Sequence, residues 1–389
     1  MTSATVRRPA YSARAALLAA ITVLLSTSLT LAAAEYLLRR HAAAIATSDR
    51  MDPGLIVFDD TLGWKLQRHW RGAHRHKDYA VEYMTNAAGF RGALPADDTA
   101  PTIAVLGDSF TFGLGVGAGE TFSEGLDQRV PPYRFLNFGV PGYSTDQQLL
   151  QLRTVLEQHA PTHVLWVVHL GNDLLDNRHP FALQAAYAKP YFELVDGRLG
   201  LRNVPVPLEQ KQGHYLRMTL GSEVVGDAQV KPRWRTLLAA SQIGQRIDAL
   251  LGVDQDALSA HLAISTADDL DLFMAIVGDA QRLLQARQVG LAVVLLSGAG
   301  HAEQPRSLAH TYQGYVLRQL TQRLEVSGVA VIDVASALLE HALARERLYY
   351  PNEGHLTRRG HELVAEWIAA ELPRKLIKTA AAGRSATTY

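Results

Sequence analysis

From Thr102 onward, short apolar runs alternate with stretches whose apolar residues recur every three or four positions. Thr102–Leu106, Arg134–Asn137, Val164–Leu170, Leu291–Leu296 and Ala330–Asp333 are runs of the first kind. A strand covered on both faces shows no polar side, so these read as buried strands. Ser144–Gln158, Ala267–Arg287, Thr311–Glu325 and Thr357–Leu372 are stretches of the second kind and predict amphipathic helices, with Thr357 as the N-cap of the last. Strands alternating with helices predict an α/β fold, a parallel sheet with helices on both faces.

The alternation breaks between Arg178 and about Ala260. Within that interval Tyr191–Leu201 predicts a hairpin turning at Asp196-Gly197, and Arg233–Leu251 predicts an amphipathic helix. Loops leaving the carboxyl ends of parallel strands surround the ligand crevice, so this insertion is expected beside the mouth of the site. Tyr191, Phe192 and Trp234 are then candidates for its lining; a purely decorative insertion is the other reading. Upstream, Thr61–Gly92 has strand character and closes in an Asn/Gly turn at Asn86–Gly92. It carries a basic stretch in which His74 and His76 share one strand face. Two histidines without a third ligand are a weak metal signal, and a solvated or headgroup-facing surface is the preferred reading.

At the N-terminus, Ala15–Ala34 carries no charge and is rich in Leu, Ala, Ile and Val. As a helix it would reach roughly 30 Å at about 1.5 Å per residue, the thickness of a bilayer core. Arg7, Arg8 and Arg14 before it favour a cytoplasmic N-terminus and a body outside the cytoplasmic membrane. The small residues Ala32-Ala33-Ala34 would also suit a signal peptidase, but the run is long for a signal peptide, which favours an uncleaved anchor. The expected organisation is a cytoplasmic N-terminus and anchor over residues 1–40, a juxtamembrane linker and small β-rich lead-in over 41–100, an enzymatic domain over 101–376 with an insertion at about 178–260, and a disordered tail over 377–389.

Composition narrows the chemistry. The chain has 389 residues, with 38 basic and 38 acidic side chains and 7% aromatics. That balance gives no electrostatic footprint for nucleic acid, and few rings are available for base stacking. There is no cysteine, which excludes disulfides, thiolate catalysis and cysteine-ligated metals.

Four blocks fall at predicted strand ends. In Val105–Gly113 an apolar strand ends in Gly107, and Ser109 follows two residues later, where its hydroxyl can stand free above the sheet. Asn137–Ser144 carries glycines that let a backbone N–H approach an oxyanion. His169–Asp173 contains Asn172, an uncharged side-chain donor suited to the same task. Tyr350–Thr357 holds His355 in a loop where it can act as general base towards Ser109. His361, inside the last predicted helix, is a less attractive base, and Asp333 reads as a structural or helix-capping residue.

In this order and spacing the blocks resemble the SGNH (GDSL-type) hydrolases, over roughly Pro101–Leu372. The resemblance implies a flavodoxin-like three-layer α/β/α sandwich around a five-stranded parallel sheet. It implies Ser109 as nucleophile, His355 as base, and the N–H groups of Ser109 and Gly142 with the Asn172 amide as the oxyanion hole. Asn86–Gly92 is similar to a lead-in found in exported members. Two departures stand out. Leu170 occupies the third block's glycine position, and Asn352 stands three residues before the histidine, where the family usually has aspartate. Glu353, two residues before, is the candidate third member; a Ser-His dyad supported by a backbone carbonyl is the alternative.

The expected function is a serine-dependent esterase acting on an acyl, possibly acetyl, ester at the bacterial cell envelope, held to the membrane by its N-terminal helix and needing no metal or organic cofactor. An O-acyltransferase acting on an exopolysaccharide and a catalytically silent envelope-binding module are the competing readings.

Overall fold

Residues 103 to 106 show how the central sheet forms. Ile103 and Val105 point to one face and Ala104 and Leu106 to the other, as the two-residue period of a strand requires, and all four are buried. The computed structural model describes residues 13–94, 100–182, 187–208 and 233–377. In chain order the strands are β1 (Arg50–Met51), β2 (Ile56–Asp59), β3 (Gly63–Leu66), β4 (Arg71–Arg75), β5 (Ala80–Met84), β6 (Thr102–Gly107), β7 (Arg134–Gly139), β8 (His163–His169), β9 (Tyr191–Val195), β10 (Arg198–Arg202), β11 (Gly290–Leu296) and β12 (Ala330–Asp333).

β6, β7, β8, β11 and β12 form one parallel sheet in the order β12-β11-β8-β6-β7. Read from the other edge this is the doubly wound order 2-1-3-4-5, whose switch point lies between β6 and β8. One face packs on the helices Thr145–His159, Ala267–Gln285 and Leu308–Val326 through residues such as Trp166, Phe273 and Leu320. The other packs on Phe122–Arg129, Val334–Leu343 and Arg358–Leu372 through residues such as Val167, Leu338 and Ile368. The five predicted strands and four predicted helices of this layer structure are all present, and Thr357 caps the last helix, its hydroxyl accepting the Gly360 N–H. Asp333 caps Val334–Leu343 through the N–H and hydroxyl of Ser336.

The lead-in is more structured than a linker. β1, β4 and β5 form a three-stranded antiparallel sheet, and β2 pairs with β3. Leu55, Trp64, Leu66 and Tyr83 share a small core with Phe112, Val140 and Tyr143, so this module packs onto loops that leave the carboxyl ends of β6 and β7. The expected turn forms at Asn86, whose side-chain oxygen accepts the N–H groups of Ala88 and Phe90, with Gly89 at φ +87°.

The insertion divides. β9 and β10 form the expected hairpin around Asp196-Gly197. Farther on, the stretch read as one amphipathic helix is a 3-10 helix (Arg233–Ala240) followed by an α-helix (Gln242–Leu251). Gly244 explains the break: a Cβ there would lie 2.1 Å from the Leu238 carbonyl oxygen, an approach that only glycine permits.

The chain forms two compact units. One joins the N-terminal segment up to Thr47 with Pro232–Leu251; the other comprises Ser48–Lys231 and Gly252–Tyr389. In the first, a 34-residue helix runs without interruption over Ala13–Ala46, past the expected end of the anchor at residue 40. It is the one helix among the described residues long and apolar enough to cross a membrane. Of the tail expected over 377–389, all but residue 377 lies outside the described residues.

Candidate active site

β6 ends at Gly107, and the chain turns at once into the short helix Ser109–Phe112. Two features make the turn tight. The Asp108 carboxylate accepts the Phe110 N–H at 2.9 Å, and Gly113, in the left-handed conformation at φ +81°, donates its N–H to the Ser109 carbonyl. Gly139 at the end of β7 allows the turn to sit against the sheet, since a Cβ there would lie 2.2 Å from the Phe112 nitrogen. Ser109 is thereby presented above the carboxyl end of the sheet, next to the switch point.

Ser109 meets the loop after the last strand. Its Oγ is 2.7 Å from His355 Nε2, and His355 Nδ1 is 2.6 Å from Glu353 Oε1. The partners fix the proton positions: Nδ1–H donates to the carboxylate, so Nε2 is left to accept from the serine hydroxyl. The second oxygen of Glu353 accepts the His355 backbone N–H at 3.0 Å. This doubling back needs Gly354, at φ +93°. The Phe110 ring lies 4.5 Å from that of His355 and stacks at 4.2 Å on His169, which limits how the imidazole can turn.

Asn352 does not touch His355. Its side-chain amide donates to Asp78 Oδ1 at 2.6 Å, and the backbone N–H groups of Asn352 and Glu353 donate to Asp78 Oδ2 at 2.9 and 3.1 Å. Asp78 therefore holds the turn that carries Glu353. On the nucleophile side, the buried Arg91 guanidinium donates to the carbonyls of Phe112, Gly113 and Val116, and Tyr83 Oη accepts the Gly115 N–H. Burial pulls the Arg91 pKa down to about 10, which leaves it charged at neutral pH. Tyr350 Oη donates to the Gly115 carbonyl and ties the two loops together.

A cavity of about 510 Å³ opens above these groups. Ser109, His355 and Glu353 line it, together with Gly142, Pro141 and Leu114. The lead-in supplies an apolar wall of Met51, Leu55, Ile56 and Trp64 and a polar edge of Asp49, Asp52 and His74. Trp64 is fixed by donating its indole N–H to the Pro141 carbonyl. Both ring nitrogens of His74 are engaged, with Tyr83 Oη at 3.1 Å and Asp49 Oδ1 at 2.7 Å. Among the described residues no group of three or more potential ligands gathers that could hold a metal.

The insertion contributes Tyr187 to the lining. Of the aromatic residues proposed from sequence, Tyr191 and Phe192 do not line this cavity; Phe192 is part of the core beneath the hairpin, and Trp234 belongs to the other unit. Asn172 is buried and does not line this cavity; its Nδ2 donates to Asp176 and its Oδ1 is 2.5 Å from His169 Nδ1. Burial, with the nearby Asp108 charge adding to it, pushes Asp173 well above the usual carboxylate range, and burial lowers His169. The alternative base, His361, is fully enclosed in its helix; burial lowers its pKa to about 3, and its Nδ1 accepts the Phe122 N–H.

Sequence reasoning missed Asp78 and the whole lead-in wall. Trp64, His74 and Asp78 fall in the strand-like stretch Thr61–Gly92, which says nothing of what those strands face, and Asp49–Ile56 falls in the stretch expected to be a linker.

The chemistry open to this arrangement is proton abstraction from a serine hydroxyl by an imidazole backed by a carboxylate. The family model described as GDSL-like Lipase/Acylhydrolase matches residues 105–363. Solved structures with similarity include a lipolytic G-D-S-L family member from Veillonella parvula DSM 2008 (14% identity, 71% of this chain and 100% of that one, TM-score 0.37) and the psychrotrophic esterase EstA from Pseudoalteromonas sp. (14%, 70% and 97%, TM-score 0.35). A third is a lipolytic G-D-S-L protein from Desulfitobacterium hafniense DCB-2 (12%, 69% and 98%, TM-score 0.34). A comparison with curated proteins returns no match.

Proposed function

Since the chain belongs to the GDSL-like lipase/acylhydrolase family and is a hydrolase acting on ester bonds, we propose that Ser109 is its nucleophile, His355 its general base and Glu353 the carboxylate that orients and balances the imidazole. The observation that carries this reading is the unbroken hydrogen-bond chain from Ser109 through His355 to Glu353 on the cavity wall. His355 takes the Ser109 proton as the oxygen attacks the ester carbonyl, then returns it to the leaving alcohol; water, activated the same way, releases the acyl group. The N–H groups of Ser109 and Gly142 hold the oxyanion; Asn172, expected beside them, does not line the cavity, and its amide engages Asp176 and His169. One such donor is typically worth about 2.7–4 kcal/mol of barrier.

The substrate we propose is a short acyl ester of a neutral carbohydrate. Asp49 and Asp52 at the cavity edge disfavour an anionic headgroup, while the apolar wall of Met51, Leu55 and Trp64 suits an acyl chain or a sugar face. The reading as a silent binding module rested on Asn352, and the pairing of Asn352 with Asp78 accounts for that residue otherwise.

The N-terminal helix serves as an uncleaved anchor, with the hydrolase outside the cytoplasmic membrane. Two observations support this. The helix continues unbroken through Ala32-Ala33-Ala34, and Glu35, just beyond a signal-peptidase site, accepts the backbone N–H groups of Gln242 and Ile243.

A fluorophosphonate probe tests the core of the proposal. It should label wild-type protein at Ser109 and leave Ser109→Ala and His355→Ala unlabelled, and acetate release from acetylated xylo-oligosaccharides should fall in parallel. Labelling that persists in Ser109→Ala would rule the site out.

A further inference from the structure

Arg233–Leu251 forms one compact unit with the N-terminal helix. Three contacts build it into one element. The Glu35 carboxylate caps the α-helix Gln242–Leu251 at both Gln242 and Ile243, at 2.9 and 3.0 Å. Arg39 Nη2 donates to the Ala240 carbonyl at 3.3 Å. Arg235, nearly buried, donates from Nε to the Asp248 carboxylate and from Nη2 to the Asp248 carbonyl, each at 2.6 Å, which closes the two short helices on each other as a hairpin. Yet this braced element leaves its largest apolar side chains in the open. Trp234 is 57% exposed, Leu237 77% and Leu250 80%, and Ile247 and Leu251 are exposed too.

These residues are not scattered. Trp234 and Leu237 are one turn apart on the 3-10 helix. Ile247, Leu250 and Leu251 stand at i, i+3 and i+4 on the α-helix, while Gln242 and Gln245 occupy its other side. The level of the element along the anchor is fixed as well: Glu35 and Arg39 hold it directly after Ala15–Ala34, where the uncharged run ends. At that level an anchored protein meets the lipid headgroups. A Trp-bearing helix with one apolar and one polar face, at the end of a span, has the composition of an interfacial helix.

We propose that the Arg233–Leu251 hairpin lies in the membrane interface, its Trp234/Leu237/Leu250 face turned into the acyl chains of the same bilayer that the N-terminal helix crosses. It acts as a collar that sets the depth of the anchor. This inference rests on the anchor reading above, and its test separates the two.

The full chain has no cysteine, so a single one can be introduced and labelled with an environment-sensitive nitrobenzoxadiazole fluorophore. Leu250→Cys and Gln245→Cys would be reconstituted in phosphatidylcholine–phosphatidylglycerol vesicles. The label at 250 should emit blue-shifted light and be quenched at least twofold more by dibrominated lipid than the label at 245. Ser109 labelling by fluorophosphonate should stay unchanged in both variants. Release of the protein from vesicles by alkaline carbonate would overturn the anchor reading and this inference with it. Retention on the vesicles with no lipid quenching at 250 overturns the interfacial hairpin alone. A blue-shifted emission at 250 that brominated lipid leaves untouched overturns it also, because the face is then covered by protein.

Discussion

The carboxylate of Asp78 holds the side-chain amide of Asn352 at 2.6 Å across 274 residues of sequence. Asp78 also accepts two backbone N–H groups from the turn that aims Glu353 at His355. Replacing it with alanine should lower kcat about tenfold with KM changed less than twofold, since hydrogen bonds to a charged group contribute about 1.5–3 kcal/mol each and the turn keeps its other ties. Asn352→Asp alone should be at least as damaging, because two carboxylates would then face each other. The exchange Asp78→Asn with Asn352→Asp restores a donor–acceptor pair and should recover part of the lost kcat. A merely destabilised fold would not show that rescue. Steady-state kinetics on an aryl acetate checks all three variants.

Glu353 and Asn352 are expected to separate cleanly. Glu353→Gln keeps the size of the side chain but removes the charge that stabilises the imidazolium, so kcat should fall by about two to four orders of magnitude. Asn352→Ala leaves His355 and Glu353 in contact and should cost far less. Equal losses in the two variants would mean that Glu353 is not the supporting acid.

Lys189 and Asp146 form an ion pair with both side chains fully buried. Burial pushes the Asp146 carboxyl upward and Lys189 opposes this. Lys189→Met strands the carboxylate and should cost about 3–5 kcal/mol of stability, whereas Lys189→Met with Asp146→Leu should recover much of it. Denaturant titration in detergent, followed by tryptophan fluorescence, measures both.

Acid should weaken the fold through His361. Its folded pKa lies at about 3, against 6.5 for a free imidazole. Between these values the unfolded chain binds a proton that the folded chain does not. Its contribution is therefore complete above pH 6.5 and declines as pH falls towards 3, by up to about 1.4 kcal/mol per pH unit. His361→Asn, which keeps an acceptor for the Phe122 N–H, should flatten stability between pH 6.5 and 5; an unchanged slope would place the proton uptake elsewhere.

Gly139 tests the seating of the nucleophile. A methyl group 2.2 Å from the Phe112 nitrogen cannot be accommodated without moving the Ser109 turn. Gly139→Ala should lose about 1–3 kcal/mol of stability and most of its fluorophosphonate reactivity.

The sheet and its flanking helices were legible because β6, β8 and β11 are buried on both faces and their helices on one, and both habits leave a local period. Ser109, Gly142 and His355 were legible for a related reason: glycines and a serine or histidine directly after a strand mark a carboxyl-end loop. The same logic also picked out Asn172, which does not line the cavity. The acid was ambiguous because residues two and three before a histidine both lie within reach, and only the Gly354 turn decides which side chain folds back. Asp78, Asp49 and Trp64 left no local mark. Their roles exist only across distances of tens to hundreds of residues, and strands of two to five residues are too short to show which way they face. The broken helix at Gly244 was hidden because amphipathic spacing survives a change of helix type.

Arg91 grips the serine loop from the same small module in which Asp78 grips the histidine loop. The family match begins only at residue 105, after that module ends. The contacts that align the two loops therefore come from outside the stretch that matches the family. A chimera that grafts residues 100–377 behind a foreign N-terminus would inherit the sheet, Ser109, His355 and Glu353 but neither of the two clamps that align them.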